Sequence, residues 1–178
     1  VDYLNSNRKL ITIGIKPTEA HTGYGYIEAE SNPTKKVLNV TTFHEKPDFA
    51  KAKKYLDSGN FYWNSGMFLF NVSHFLDIVK TLQSNTYETI SKLVELDRKR
   101  SDYQDEFTKL FNSLESISID YAIMEKTKEG VMVELNAGWN DIGSWMSLHE
   151  FLDKDENGNV LIGDTINSNV SNSYIMSN

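Results

Sequence analysis

Four places in this sequence put polar side chains where the surrounding residues read as strand. Tyr24-Gly25 opens one strand, Glu45-Lys46 closes another, Asn64 interrupts a third and Asp141 follows a fourth. In an open α/β sheet, ligands bind outside the carboxyl ends of the strands, and Glu45, Lys46 and Asp141 fall at such ends. A carboxylate, an ammonium and an amide converging on one cleft suit a polyhydroxylated ligand that carries an anion. Glu and Asn bond hydroxyls, and Lys meets a phosphate as a point charge. Taken alone, Glu45-Lys46 reads first as a solvated strand end ahead of Pro47.

Asn64-Ser65-Gly66 sits inside Phe61–Phe70, the most apolar and aromatic run of the chain. The second half of that run has no polar face, as expected of a strand buried on both sides. A buried amide and hydroxyl cost stability unless paired. A glycine inside a strand often marks close approach of a ligand or of backbone. A satisfied core amide and a ligand contact are both open readings of Asn64 at this point.

Asp141, between Trp139 and Trp145, also has two readings. It suits a hard cation such as Mg²⁺, which takes one or two carboxylates together with substrate phosphates. It also suits the cap of a helix starting near Ser144, and the two are compatible. Asp153 to Asp164 follows the pattern of a calcium-binding EF-hand loop, with acidic or amide residues at positions one, three and five and Gly158 at six. Its twelfth residue is Asp164 and not Glu, and a turn rich in turn-forming residues explains the same segment. The histidines, His21, His44, His74 and His149, show no ligand spacing, and no GxSxG motif is present. Gly23 and Gly25 belong to neither a GxGxxG nor a GxxxxGK[ST] loop. They read as room for a bulky group beside the backbone.

The elements that must position these residues alternate in type. Strands are expected over Lys9–Ile15, Tyr24–Glu30, Val37–Lys46 and Phe61–Phe70, with a turn at Asn32-Pro33-Thr34. A helix capped by Asp48 and ended by Gly59 precedes the third site, and a helix capped by Ser73 follows it. Two more helical patterns carry Tyr87, Ile90 and Val94, then Tyr103, Phe107, Leu110, Phe111 and Leu114. Ser118 caps a short helix over Ile119–Lys126, and Val131, Val133 and Leu135 alternate as in a half-buried strand. Trp145, Leu148 and Leu152 begin a last helix. Strands alternating with helices indicate an α/β sheet over residues 1–153. From 154 onward small polar residues and two short strand-like runs indicate the start of a second module.

The bulk properties narrow the partners. The chain has 178 residues, 39% hydrophobic and 24% charged, enough for one good core. A net charge of −7 with no basic stripe argues against nucleic acid. There are no cysteines, which excludes disulfides and thiolate metal sites. No apolar run reaches the length of a membrane span. The start at Val1, inside what reads as a continuing element, leads us to expect residues upstream.

Six motifs in order carry a resemblance. Gly14-Ile15-Lys16-Pro17-Thr18, Thr22-Gly23-Tyr24-Gly25-Tyr26-Ile27, Phe43-His44-Glu45-Lys46-Pro47, Trp63-Asn64-Ser65-Gly66-Met67-Phe68, Ser118 to Lys126 and Trp139 to Trp145 are similar to those of bacterial mannose-1-phosphate guanylyltransferases, members of the nucleotidyltransferase superfamily. The resemblance implies the C-terminal part of a Rossmann-like α/β domain, a mixed sheet with flanking helices, leading into a linker and a left-handed β-helix. It implies formation of GDP-mannose and pyrophosphate from GTP and mannose 1-phosphate with Mg²⁺, in the cytoplasm, with a homodimer as one assembly to expect. By motif, Tyr24, Gly25, Glu45 and Asn64 would bind the sugar, Lys46 would face its phosphate and Asp141 would hold the metal; Lys46 and Asp141 are the implied catalytic pair. The Gly-rich phosphate loop and first metal aspartate of that family have no counterpart here, so the chain by itself is expected not to turn over. A non-catalytic sugar-phosphate-binding module, a calcium-dependent domain built on residues 153–164 and a pyrophosphorylase for another sugar 1-phosphate stand as alternatives.

Overall fold

The computed structural model describes residues 2–30, 32 and 34–177; Pro33 of the expected turn lies outside them. Two compact units result, 1–136 and 137–178, and the expected division at 153/154 falls inside the second.

The first unit is built on five strands: β1 (Leu10–Ile15), β2 (Tyr26–Ala29), β3 (Leu38–His44), β4 (Phe61–Phe70) and β5 (Gly130–Glu134). Their order is β1-β4-β2-β3-β5, and β5 also pairs with β1, so the sheet closes on itself. The sheet is mixed, as expected: β1 and β5 run parallel, and the other pairings are antiparallel. β5 departs from the sequence reading: Gly130, Val131 and Met132 are buried in succession and not alternately, because both faces of the strand are covered there.

Helical residues lie on both faces of this sheet: Tyr55 packs on Tyr26, His44 and Phe61, and Ile78 on the oppositely directed Ile27 and Phe43. After a short α1 (Asp2–Ser6), α2 (Phe49–Ser58) starts where Asp48 accepts a hydrogen bond from the Lys51 N–H at 2.8 Å. It ends at Gly59, whose φ of 77° is the left-handed conformation glycine tolerates best. α3 (Val72–Leu82) is capped by Asn71, which accepts from the His74 N–H, so Ser73 already lies inside the helix. Ile78 of α3 joins Leu10, Ile27, Phe43 and Met132 in the core, with Phe70 and Phe75 stacked at 4.2 Å. α4 (Ser84–Glu95) and α5 (Tyr103–Asn112) continue outward from α3, and neither buries a residue fully.

The segment after Ser118 is not the expected α-helix. It is a single π-helical turn, Asp120–Met124, closed by the bond from the Glu125 N–H to the Asp120 carbonyl at 2.9 Å. Ala122, Ile123 and Met124 anchor it in the core. Ser118 caps the segment as expected: its hydroxyl accepts the Tyr121 N–H at 3.5 Å and its carbonyl the Ala122 N–H at 2.9 Å.

β4 also differs from the expectation. Met67 is 41% exposed and Leu69 38%, while Phe68 and Phe70 pack on the core. One face of its second half is therefore uncovered among the described residues. Between Thr12↔Phe68 and Gly14↔Asn64, β1 advances two residues while β4 advances four. The surplus forms a bulge at Ser65–Met67, and bulges re-aim side chains beside functional sites.

The second unit holds α6 (Trp145–Phe151) and a parallel pair, β6 (Val160–Ile162) with β7 (Tyr174–Met176). Ser144 caps α6 by accepting from the Ser147 N–H at 3.1 Å, so the cap expected of Asp141 belongs to Ser144. In the turn ahead of β6, Asp155 accepts from the N–H groups of Asn157 and Asn159 and from the Asn159 amide. Both of its oxygens are committed to the loop itself, which favours the turn reading over a calcium loop. Those bonds hold its carboxyl below the usual range, the Asn159 N–H contributing most. No helix among the described residues is long and apolar enough to cross a membrane.

Candidate functional site

Gly25 shows most directly why the first unit has a site. It lies just before β2, and its carbonyl accepts the Asn64 N–H at 2.8 Å. A Cβ built on it would stand 2.5 Å from Glu45 Oε2 and 3.2 Å from the Asn64 Cβ. The missing side chain is what lets a carboxylate from the end of β3 and an amide from β4 come together over backbone. Tyr24 beside it stacks on His21 at 3.8 Å and meets Trp63 edge-on at 5.1 Å. That stack seats the loop on the sheet.

Gly66 has a different role from the one its position in a strand suggested. Nothing lies within 4 Å of a Cβ built there, but its φ is 73°. It is a glycine because the bulge needs a left-handed residue, not because something approaches it. The bulge turns the Ser65 hydroxyl onto the Ile13 carbonyl at 2.8 Å and the Asn64 amide toward the site.

The Asn64 amide is held by three partners. Its oxygen accepts from the buried Thr12 hydroxyl at 3.1 Å and from the Gly66 N–H at 3.3 Å; its nitrogen donates to Asp120 Oδ1 at 3.0 Å. Asn64 is thus a satisfied amide, as one reading of the sequence had it, and a member of the polar cluster.

Lys46 adopts φ 47°, a left-handed conformation that side-chain-bearing residues rarely take. Such strain at a polar cluster is typical of functional sites. The corner is held from behind by Glu125, whose carboxylate accepts the Glu45 N–H at 3.1 Å. The Lys46 ammonium lies 3.0 Å from Glu45 Oε1. That hydrogen bond, then the Glu45 charge, hold the ammonium above the usual lysine range; Tyr121 and Asp120 add smaller effects. Lys46 therefore remains a cation across the physiological range. Its side chain is 61% exposed and that of Glu45 only 10%. A shielded carboxylate beside an accessible cation can bond a hydroxyl with one and an anion with the other.

Of the residues singled out in the sequence, Gly25, Glu45, Lys46 and Asn64 come together here, with Tyr24 as flanking support. Asp141 lies in the second unit, exposed, with its backbone carbonyl accepting from the Gly143 N–H at 2.7 Å and its carboxylate unbonded among the described residues. Sequence reasoning missed Thr12, Asp120 and Glu125. Thr12 gave no signal, being one polar residue in an apolar strand. Asp120 and Glu125 lay in a motif already singled out, but an α-helical reading gave neither a direction.

The nucleotidyl transferase family matches residues 2–158 of the chain. A mannose-1-phosphate guanylyltransferase of Salmonella montevideo is 43% identical over 94% of this chain and 36% of its own length. The alginate biosynthesis protein AlgA of Pseudomonas aeruginosa is 40% identical over 89% of this chain and 33% of its own. The chain thus spans about a third of the curated relatives it matches. Among solved structures, a Thermus thermophilus protein described as a mannose-1-phosphate geranyltransferase superposes with a TM-score of 0.74 at 26% identity, over 92% of this chain and 46% of that one. A mannose-6-phosphate isomerase of Helicobacter pylori gives 0.65 at 34% identity, over 79% and 55%. Since the matched residues run through both units and include every strand of the closed sheet, this chain belongs to the nucleotidyl transferase family.

Proposed function

We propose that this chain supplies the sugar-phosphate site of a mannose-1-phosphate guanylyltransferase acting in the cytoplasm, where GTP is available. A phosphate oxygen of mannose 1-phosphate attacks the α-phosphorus of GTP. The new P–O bond forms as the bond to the β-phosphate oxygen breaks, so GDP-mannose is made and pyrophosphate leaves. No protein nucleophile takes part; this chain contributes positioning and charge. The observation that carries the reading is the cradle over Gly25, where Glu45 and Asn64 converge with the Lys46 cation at its edge. Glu45 and Asn64 bond sugar hydroxyls, and Lys46 meets the phosphate.

Mg²⁺ fits the exposed and unbonded carboxylate of Asp141, a hard oxygen donor of the kind this ion takes one or two of. Among the described residues no group of three or more His, Cys, Asp or Glu forms a cage of its own. Asp141 would hold the ion together with substrate oxygens, and the ion would supply charge neutralisation at the phosphates.

Calorimetric titration with mannose 1-phosphate, glucose 1-phosphate, inorganic phosphate and free mannose tests the reading. Mannose 1-phosphate is expected to bind more tightly than the other three, and Lys46→Met to remove the advantage over free mannose. Equal binding of inorganic phosphate and mannose 1-phosphate would reject a sugar-reading site.

A further inference from the structure

Asn64 has a limited set of bonds to give, and counting them exposes a partner that the sequence did not reveal. A carboxamide has two N–H donors and one oxygen that accepts twice. The oxygen is filled by the Thr12 hydroxyl and the Gly66 N–H, and one N–H goes to Asp120 Oδ1. The opposite amide orientation is excluded, because it would set NH₂ against the Gly66 N–H and oxygen against the Asp120 carboxylate. One N–H remains. The nitrogen that carries it lies 3.6 Å from the position of a Cβ on Gly25, beside the cradle. Asn64 can therefore donate to a ligand once, and it cannot accept.

A sugar hydroxyl that accepts from Asn64 still has its own proton to place. Asp120 offers the acceptor. Its Oδ1 is bound to Asn64, while Oδ2 has no hydrogen-bond partner among the described residues. Asp120 is half-buried, and the 3.0 Å bond from the Asn64 amide sets the carboxylate beside the cluster. The π-helical turn supports this placement. At 3.6 residues per turn, positions five apart on an α-helix diverge by about 140°. Closing the ring from the Glu125 N–H to the Asp120 carbonyl lets both carboxylates face one site: Glu125 on the Glu45 N–H and Asp120 on Asn64. π-turns of this kind recur at functional sites.

We propose that Asp120 contacts substrate, forming with Asn64 a donor–acceptor pair that reads a single hydroxyl of the sugar: Asn64 Nδ2 donates to that oxygen and Asp120 Oδ2 accepts its proton. The inference rests on the sugar-phosphate reading above and assigns that site a specificity residue.

The test is calorimetry on the full-length protein with mannose 1-phosphate and its mono-deoxy analogues, applied to the parent, Asp120→Ala and Asp120→Asn. One deoxy analogue is expected to bind the parent roughly 10- to 100-fold more weakly than mannose 1-phosphate. Asp120→Ala should lose a similar factor for mannose 1-phosphate and nothing further for that analogue. Asp120→Asn separates contact from support: its side-chain oxygen can still hold Asn64, but it then turns an NH₂ toward the hydroxyl proton. It should keep the parent melting temperature and lose affinity as the Ala variant does. Parent-like affinity in Asp120→Asn, or losses from the variant and the deoxy analogue that simply multiply, would overturn the inference while leaving the sugar-phosphate reading in place. A parent protein that binds no sugar 1-phosphate would overturn both.

Discussion

Replacing Gly25 by Ala is a sharp probe of the site, because the structure predicts opposite outcomes for folding and for binding. Gly25 is not among the residues with positive φ, so alanine fits its backbone. The added Cβ would lie 2.5 Å from Glu45 Oε2, closer than real contacts allow, and 3.2 Å from the Asn64 Cβ. The carboxylate is the end of a flexible side chain and can swing away. Doing so breaks its 3.0 Å contact with the Lys46 ammonium. That ammonium is largely exposed, and such pairs stabilise a fold by about 0–1 kcal/mol, so the melting temperature should fall by only a few degrees. Binding should suffer more. A hydrogen bond from a ligand hydroxyl to a carboxylate contributes about 1.5–3 kcal/mol, so the affinity for mannose 1-phosphate should drop roughly 10- to 150-fold. Calorimetric titration with paired thermal melts reads both quantities. Adding Glu45→Ala to Gly25→Ala should cost no further affinity, since the carboxylate has already been displaced. Unchanged affinity in Gly25→Ala, or additive losses in the double variant, would refute the cradle.

Three further outcomes are expected. Asp141→Asn in the full-length protein should abolish Mg²⁺-dependent synthesis of GDP-mannose without lowering the melting temperature, because its carboxylate makes no bond among the described residues; near-parent activity refutes the metal role. Lys46→Gly should leave stability within about 1 kcal/mol of the parent, relief of the φ 47° strain offsetting the greater freedom of the unfolded chain, while weakening phosphate-dependent binding. A marked loss of stability would mean that the corner is not strained. Asp155 has a lowered carboxyl pKa, so its contribution to stability is present above the ordinary carboxylate range and is lost as pH falls through and below about 4. Thermal melts of the parent should therefore decline more steeply than those of Asp155→Ala in that acid window, and parallel pH profiles would count against the capped turn.

Much of the fold was legible because local chemistry decides it. Asp48 and Gly59 bracket α2, the first through its side-chain cap and the second through its left-handed backbone. The apolar runs Leu10–Ile15 and Phe61–Phe70 become strands, and Tyr24-Gly25 stands at the mouth of β2. The misreadings share one cause, which is competition between neighbours that only packing settles. Asn71 outcompetes Ser73 for the cap of α3, and Ser144 outcompetes Asp141 for that of α6. Ile119–Lys126 has helical spacing, yet burial of Ala122, Ile123 and Met124 goes with an i→i+5 turn. Met67 and Leu69 are apolar, but nothing in the sequence says which face of β4 is covered.

The sequence by itself determined which residue types were available: a glycine, a carboxylate, a cation and an amide, each at or inside a strand, in an order that resembles one family. Tertiary structure decided how they act. Pairing brings the mouth of β2, the end of β3 and the bulge of β4 to one place, though Gly25 and Asn64 are 39 positions apart. It also decides that Asn64 can donate to a ligand but not accept, because its oxygen is filled by Thr12 and Gly66. Hydrogen-bond directions depend on partners distant in the chain, and a linear sequence carries the groups without their directions.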